Sequence, residues 1–469
     1  MLDDTIAAIA TPLGQGGLAV VRISGPQALV VADRCFAPVG KGAAKPSGAA
    51  THTIHFGHVV RDGQNIDEVL LAIMRAPRSF TREDVVEITC HGGILPAKTV
   101  LEAVLAAGAR LAEPGEFTRR AFLNGRIDLA QAEAVADLIH SRTELALRAA
   151  NEQLAGKLSQ RINQLRDEMV ELLAHVEAQI DFPEEDIAPD TQDRFLTRLD
   201  HGIAFMDELL RTANEGQILR HGIRAAIIGR PNAGKSSLLN QLLGHDRAIV
   251  STVPGTTRDT IEETADIRGL PVVLIDTAGL REARDEIEVE GVRRSRQALE
   301  RAELLLHVLD RSEPLAEADR NYLTEFAGKK RIIVLNKHDL PARLHLPEIP
   351  SLVQGSRPGS ATPCPVVLEL SCVTRHGLEP LKDAIKEMIW TGEINTQMLH
   401  VMINARHQDA LGRARAATLR TVEALRENQP LELVALDLRI AVNAVGEIVG
   451  KTATEDLLDA IFSRFCIGK

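Results

Sequence analysis

The pattern of hydrophobic and polar positions changes several times along this chain. Residues 1 to about 120 contain short β-rich runs at 18–23, 69–74 and 85–89, separated by Gly and Pro turns. One helical stretch follows at 95–107. Short strands, turns and a single helix together predict an α+β domain.

Helical periodicity then replaces the strand pattern. From residue 121 to 181, Ala, Leu, Glu and Gln dominate and apolar residues recur at three- and four-residue steps. Another helix is predicted at 191–214, and the same pattern returns at 405–428. A last helix is predicted at 456–465, opened by a capping box from Thr452 to Glu455. The Gly-rich segment at 446–452 is one residue too short for a phosphate-binding loop, so it is not assigned as one.

Between these helical regions the chain alternates buried strands with helices, from about residue 217 to 385. This order predicts a doubly wound α/β domain inserted into a helical domain. The predicted domains are 1–120, an N-terminal domain; 121–216, the first helical part; 217–385, the inserted domain; and 386–469, the second helical part. The fold class is therefore multidomain, with α+β, helical and α/β parts.

The strongest motif runs from Gly229 to Ser236, Gly-Arg-Pro-Asn-Ala-Gly-Lys-Ser. It follows a strand-like run at 223–228 and leads into a helix, the setting that a Walker A loop requires. Glycines allow backbone N–H groups to surround phosphate oxygens, and the helix N-terminus adds positive potential. Lys235 would reach the outer phosphates, and the Ser236 hydroxyl would bind Mg²⁺. The motif predicts a nucleoside triphosphate site.

The identity of the nucleotide base is indicated by a second motif further along the chain. A buried strand at 332–336 ends in the tetrad Asn336-Lys337-His338-Asp339. A carboxylate at Asp339 accepts from both the ring N–H and the amine of guanine, whereas adenine lacks the ring donor. The sequence therefore predicts GTP. Ser371-Cys372-Val373 occupies the place where GTPases usually carry Ser-Ala-Lys, which makes this last motif weak.

A metal site and a switch segment are predicted between these motifs. Asp276 ends a buried strand and is followed by Thr277-Ala278-Gly279, and a polar loop at 251–257 brings Thr257 to the Mg²⁺. Leu280 stands where signalling GTPases carry the glutamine that orients water. The acidic run at 285–288 either supplies another water-orienting group or is a solvated helix start. The predicted GTP-binding residues are Asn232, Ala233, Gly234, Lys235, Ser236, Ser237, Ser251, Thr252, Val253, Pro254, Gly255, Thr256, Thr257, Asp276, Thr277, Ala278, Gly279, Asn336, Lys337, Asp339, Ser371, Cys372 and Val373.

Composition limits the remaining possibilities. The chain has 469 residues and a net charge of −11, so any RNA contact needs a local basic patch. Five scattered cysteines lack metal-site spacing and indicate a reducing cytoplasm. The acidic first residues predict no signal peptide, and no apolar run is long enough to cross a membrane. The basic positions Arg293, Arg294, Arg296, Arg406, Arg413 and Arg415 either contact RNA or a protein partner, or are solvated helix faces.

Several motifs outside the GTPase region resemble the MnmE (TrmE) family of tRNA modification GTPases over essentially the full chain. They are the segments at 10–17, 22–25, 79–87, 91–93, 114–125 and 129–133 and the closing Cys466-Ile-Gly-Lys469. The family commonly has Lys at the position of Arg126, so the positive charge is kept but the shape differs.

The resemblance implies a homodimer formed through an N-terminal domain similar to tetrahydrofolate-binding folds. It implies a complex with MnmG, an FAD- and NADH-using enzyme, and modification of C5 of the wobble uridine in certain tRNAs. Residues matching the folate site are Arg22, Glu87, Arg126 and Lys469, and Cys466 matches the thiol required for modification. The family is stimulated by potassium, which implies an ion held by Asn232 and by carbonyls near Ser251, Val253 and Thr256, with Glu288 orienting water.

Two other classes of function remain to be compared. A ribosome-assembly GTPase would share the Walker asparagine and the hydrophobic residue after Asp276-x-x-Gly279, but would carry an appended basic RNA-binding module. A nucleotide-dependent switch without useful catalysis would hydrolyse GTP slowly whatever the cation. Analysis of tRNA nucleosides from cells lacking the gene separates both from the tRNA-modification class.

Overall fold

The computed structural model describes residues 4–40, 44–182, 191–244, 262–276, 299–326, 328–344, 366–390, 399 and 402–469. The chain divides into two compact units. The first contains Met1–Ala136, Gln153–Met206 and Asp409–Lys469, and the second contains Asp137–Glu152 and Asp207–Gln408. The four domain boundaries predicted from sequence differ in detail from these units and stay a prediction.

The first unit contains a seven-stranded sheet in the order β3-β4-β5-β6-β2-β1-β7. Its strands are β1 (Ile6–Ile9), β2 (Leu18–Ser24), β3 (Phe36–Pro38), β4 (Thr53–Arg61), β5 (Gln64–Met74), β6 (Val85–His91) and β7 (Arg110–Leu111). Neighbouring strands are antiparallel except for the pair β1 and β7. Helices α1 (Ala28–Cys35) and α2 (Ile94–Ala106) contribute buried residues to the same apolar cluster as the strands.

Helices form the rest of this unit and lead into the second. They are α3 (Glu116–Leu123), α4 (Leu129–His140), α6 (Lys157–Asp181), α7 (Thr191–Arg211), and, after the second unit, α12 (Ala405–Arg426), α13 (Leu431–Val449) and α14 (Glu455–Phe462). Helix α5 (Glu144–Leu154) lies mostly in the second unit. Helix α6 buries a stripe of apolar residues at three- and four-residue steps, and it packs along α13. The apolar residues that recur with this period in the sequence therefore form the packing surface of the helix.

The second unit contains a six-stranded sheet in the order β13-β12-β11-β8-β10-β9. Its strands are β8 (Ile223–Ile228), β9 (Glu262–Ile267), β10 (Leu270–Asp276), β11 (Leu304–Asp310), β12 (Arg331–Asn336) and β13 (Val366–Glu369). All pairs are parallel except β9 with β10. The associated helices are α8 (Ala213–His221), α9 (Lys235–Leu243), α10 (Glu317–Glu325) and α11 (Leu378–Ile389). Parallel strands bring their carboxyl ends to one edge, where such sheets bind ligands. The predicted fold class is confirmed.

Two predicted helix boundaries are wrong. The helix predicted at 191–214 is divided at Thr212 into α7 and α8, and the Thr212 hydroxyl donates to the Leu209 carbonyl at 2.8 Å. Such a side-chain bond competes with the helical backbone. The last helix is capped by Thr454, whose hydroxyl accepts from the Leu457 N–H at 3.4 Å, rather than by Thr452. The Thr452 hydroxyl instead donates to the Asn443 carbonyl at 2.7 Å.

Candidate functional site

The phosphate loop joins β8 to α9 at the carboxyl edge of the second sheet. Gly234 caps α9 with a φ of 101°, and the helix begins at Lys235. The Lys235 ammonium donates to the carbonyls of Gly229, at 2.8 Å, and Arg230, at 3.0 Å, so it lies across the loop. Ser236 and Ser237 are exposed on the first turn of the helix. The loop thus presents backbone N–H groups, an ammonium and hydroxyls on one side, a set suited to phosphates.

Gly234 is also the point where the phosphate loop meets the base-recognition tetrad. The amide of Asn336 donates to the Ala233 carbonyl at 2.8 Å, and its oxygen accepts from the Cys372 N–H at 3.4 Å. A Cβ built on Gly234 would lie 2.0 Å from the Asn336 amide nitrogen. Asn336 therefore connects the phosphate loop to the loop at 371–373, and only glycine leaves room for it.

Lys337 is positioned by a carboxylate that was not among the predicted site residues. Its ammonium lies 2.6 Å from Asp310 at the end of β11, and its φ is 64°. Burial alone would raise the pKa of Asp310, but hydrogen bonds from Lys337 and Ser312 lower it overall. Asp310 could have been found from sequence, since it ends a buried strand at the ligand-binding edge. It holds the Lys337 ammonium within the tetrad that is predicted to bind the base.

Asp339 is the predicted guanine acceptor, and it is exposed. The Ser371 hydroxyl donates to it at 2.5 Å, and this bond lowers the pKa of the Asp339 carboxyl below its ordinary value. The same hydroxyl accepts from the Thr374 N–H at 3.2 Å. Asp339 is consequently ionised at neutral pH and fixed in orientation, which is what a bidentate acceptor for guanine requires.

Cys372 and Val373 contribute to this site in different ways. The Cys372 carbonyl accepts from the Gln241 side chain at 3.0 Å, which ties the base loop to α9. Burial raises the pKa of the Cys372 thiol to about 11, so the sulfur stays protonated. Val373 is 83% exposed. The loop therefore meets the nucleotide site through its backbone and small side chains, and the Lys that GTPases usually carry there has no equivalent.

The predicted Mg²⁺ ligands are only partly within the described residues. Asp276 ends β10 opposite Ile227 of β8, which places the strand end beside the phosphate loop. Ser236 offers an exposed hydroxyl on the first turn of α9. Hydroxyl and carboxylate oxygens are the ligands that Mg²⁺ prefers, so this residue set fits the ion. The predicted contacts at Ser251, Thr252, Val253, Pro254, Gly255, Thr256, Thr257, Thr277, Ala278, Gly279 and Glu288 lie outside the described residues.

A second group of predicted residues meets on the sheet of the first unit. Arg22 of β2 is paired in register with Glu87 of β6, and their side chains form an ion pair at 2.7 Å. Arg22 also donates to the Gly468 carbonyl at 3.2 Å, and its guanidinium lies 5.7 Å from the centre of the Phe117 ring. One arginine thus contacts a strand, a buried aromatic ring and the C-terminal tail.

The tail itself is anchored by backbone contacts. The Gly115 N–H donates to the Cys466 carbonyl at 3.4 Å, and Ile467 forms a β-bridge with Pro114. Gly468 has a φ of 95°, and a Cβ there would lie 2.4 Å from the Ile9 carbonyl oxygen. The close approach to β1 therefore requires glycine. On this tail Cys466 is exposed and Lys469 is partly exposed.

Arg126 is held separately within the same unit. Its guanidinium donates to the Ser79 carbonyl and lies 5.2 Å from the centre of the Phe80 ring. Phe80 in turn packs against the cluster that contains Phe117, the ring beneath Arg22. The rings that contact Arg22 and Arg126 therefore adjoin the same apolar cluster. Each guanidinium is held against its ring by a cation–π contact.

Two family models match the chain. A "GTP-binding protein TrmE N-terminus" model matches residues 5–126, and an "MnmE helical domain" model matches residues 129–466. The chain is 47% identical to the tRNA modification GTPase MnmE of Geobacillus kaustophilus over 470 aligned positions, covering 99% of each protein. It is 45% identical to the protein of the same name from Bacillus subtilis, covering 99% of this chain and 100% of the relative.

Solved structures give weaker similarities. The Era protein of Aquifex aeolicus aligns with 26% identity, covering 41% of this chain and 66% of Era, at a TM-score of 0.28. That score is too low to support an argument about fold. None of the described helices is long and apolar enough to cross a bilayer. The full-length similarity favours the tRNA-modification class over ribosome assembly, and the chain belongs to the MnmE family of tRNA modification GTPases.

Proposed function

We propose that this protein is a potassium-stimulated GTPase that helps to add a carboxymethylaminomethyl-type group to C5 of the wobble uridine, position 34, of certain tRNAs. It would act in the cytoplasm as a homodimer, in a heterotetrameric or larger complex with the FAD-dependent enzyme MnmG. The carbon would come from 5-formyl- or 5,10-methylene-tetrahydrofolate. The observation that supports the proposal most is the C-terminal tail, which carries the exposed Cys466 and whose Gly468 carbonyl accepts from Arg22, the partner of Glu87.

Folate recognition is assigned to Arg22, Glu87, Arg126 and Lys469. A pterin ring has amide and amine N–H groups from which a carboxylate such as Glu87 can accept hydrogen bonds. The glutamate tail of folate is anionic and needs cations. The guanidinium groups of Arg22 and Arg126 rest against aromatic rings and are held by carbonyl contacts. Held cations lose little entropy when they bind an anion, so the arrangement favours a charged ligand.

The nucleotide site performs the hydrolysis. Lys235 and the backbone of the phosphate loop bind the phosphates, while Asn336, Lys337 and Asp339 hold the base. Mg²⁺, held by Ser236 and Thr257 with Asp276 nearby, would supply charge neutralisation at the phosphates. Glu288 is assigned to orient the attacking water, because Leu280 cannot form hydrogen bonds through its side chain. Potassium would be held by Asn232 and by carbonyls of Ser251, Val253 and Thr256.

Replacing Asp339 by Asn should change the base preference. The amide presents a donor toward the guanine amine, whereas xanthine has a carbonyl at that position and can accept. We expect GTP affinity to fall roughly tenfold to a hundredfold and xanthosine triphosphate to be bound instead. Competition with a fluorescent nucleotide measures both affinities. An unchanged preference for GTP would show that Asp339 does not contact the base.

Replacing potassium by sodium should slow GTP hydrolysis strongly. Potassium is larger and less tightly hydrated, and a cation among the phosphates neutralises charge that develops in the transition state. Asn232→Ala should hydrolyse GTP at the same rate in the two salts, and it should still bind nucleotide measurably. Phosphate release in KCl and NaCl at equal ionic strength gives the comparison. Equal rates for the unaltered protein would remove potassium from the proposal.

Cys466→Ser should abolish tRNA modification while leaving GTP hydrolysis intact. Serine nearly keeps the size of the side chain, but its hydroxyl does not ionise near neutral pH and cannot replace the nucleophilic sulfur. The readout is mass spectrometry of tRNA nucleosides from cells that carry the variant as their only copy. Ile467→Ala is the matched control, because Ile467 is the exposed neighbour of Cys466 in the same bridge and its removal keeps the thiol. Full modification in the serine variant would contradict a role for this thiol in the chemistry.

A further inference from the structure

The second unit contains a cleft of about 800 Å³ that the nucleotide site does not use. Its ionisable lining residues are Arg142, His221, Arg224, Arg301, Glu303 and Lys330. Arg224 lies near the start of β8, Glu303 immediately precedes β11, and Lys330 immediately precedes β12. The cleft therefore lies at the amino edge of the parallel sheet. The nucleotide motifs lie at the carboxyl edge, about 20 Å away for strands of this length.

Backbone hydrogen bonds fix this edge. The Glu303 N–H donates to the Arg224 carbonyl at 2.9 Å, and the Leu305 N–H donates to the Lys330 carbonyl at 2.9 Å. The Glu303 carboxylate accepts from the Arg224 backbone N–H at 3.2 Å. The one acidic residue of the lining is thus bonded to the sheet edge itself. The basic side chains are carried on a rigid frame.

The charge balance of the cleft is opposite to that of the whole chain. Four lining residues carry a fixed positive charge and one carries a negative charge, whereas the chain has a net charge of −11. Arg301 and Lys330 are exposed, and within the described ranges neither has a carboxylate partner. Other arginines are neutralised, such as Arg413, which lies 2.9 Å from Asp409 and 2.5 Å from Glu447. A local basic site is what RNA binding by an acidic protein requires.

We infer that this cleft binds phosphate groups of the tRNA backbone. The inference rests on the proposed function, since it names where the RNA substrate contacts the protein. Small phosphates are typically held by backbone N–H groups at a helix N-terminus. The cleft instead contains the last turn of α8 and extended cationic side chains from several elements. Side-chain cations of this kind position a nucleic-acid backbone without reading its sequence.

The test compares two double variants with the same change of charge. The cleft variant is Arg301→Gln with Lys330→Gln, and the control is Arg320→Gln with Arg343→Gln, two exposed arginines of the same unit outside the cleft. Binding of an unmodified tRNA transcript to the full-length, GDP-saturated protein is measured by fluorescence anisotropy over a range of KCl concentrations. For the cleft variant we expect affinity to fall roughly tenfold to a hundredfold at about 0.1 M salt. The slope of log K against log salt should fall by about two.

Other outcomes would overturn the inference. Unchanged tRNA affinity and salt slope in the cleft variant would do so, and so would an equal loss in the control variant. Inorganic pyrophosphate, titrated into the GDP-saturated protein at matched ionic strength, is the second probe. If pyrophosphate binding alone distinguishes the variants, the cleft is a small-anion site. GTP hydrolysis without tRNA should stay unchanged in both variants, which shows that each is folded.

Analysis of tRNA nucleosides from cells distinguishes failure of the cleft inference from failure of the proposed function. If the unaltered gene restores wobble modification and the cleft variant restores it equally at all expression levels, the cleft inference is wrong and the function stands. If the unaltered gene restores no modification, the proposed function itself fails. A reduced modification in the cleft variant, with the control variant normal, is the result that we expect.

Discussion

Gly234→Ala is expected to weaken GTP binding by about 2–4 kcal/mol, roughly a thirtyfold to thousandfold loss of affinity. The added Cβ would lie 2.0 Å from the Asn336 amide nitrogen, on a residue whose φ is 101°. Asn336 would have to leave the Ala233 carbonyl, and the link between the phosphate loop and the base loop would be lost. Titration with a fluorescent GDP analogue measures the effect.

Gly412→Ala is the matched control. Gly412 lies within α12, and a Cβ there meets no described atom outside its own helix within 4 Å. Alanine in a helix is more favourable than glycine by about 0.5–1 kcal/mol, so this variant should be slightly more stable and bind GTP normally. Normal GTP affinity in the Gly234 variant would mean that GTP binding does not require Asn336 to keep its observed position.

Arg120→Met is expected to destabilise the first unit by about 3–5 kcal/mol. The Arg120 side chain is 0% exposed and contacts Asp4 at 2.7 Å, Glu116 at 2.9 Å and Glu83 at 3.2 Å. Burial alone would raise the pKa of Glu116, but hydrogen bonds from Arg110, the Glu113 backbone and Arg120 lower it overall. Removal of the guanidinium would leave the buried Glu116 and the partly buried Glu83 with fewer partners.

Calorimetry of the full-length protein checks this expectation. The unfolding transition of the first unit should move down by roughly 6–20 °C, because each kcal/mol shifts a unit of this size by about 2–4 °C. Arg119→Met is the control on the same helix, since Arg119 pairs with Asp459, which is 62% exposed. An exposed pair contributes about 0–1 kcal/mol. Equal shifts of the transition temperature in the two variants would show that burial of the ion pairs around Arg120 does not add to stability.

Much of the nucleotide site could be predicted because its motifs are continuous in sequence. The loop at 229–236 and the tetrad at 336–339 each follow a buried strand, and a strand followed by such a motif has few alternative structures. Asp310 gave only the weaker signal of a carboxylate at the end of a buried strand, and no continuous motif indicated the role of Ser371. Each is one polar residue at a strand end, and its partner, Lys337 or Asp339, is more than twenty residues away in the chain.

The sequence by itself determined the fold class, the order of strands and helices, and the family, because apolar periodicity and local motifs act over a few residues. Tertiary structure decided which distant groups meet. Gly468 contacts Ile9 and Arg22 from the other end of the chain. Thr452 donates to the Asn443 carbonyl, and Thr454 caps α14. The basic cleft forms only when three strand starts lie side by side, since long-range pairing leaves no local signal in the sequence.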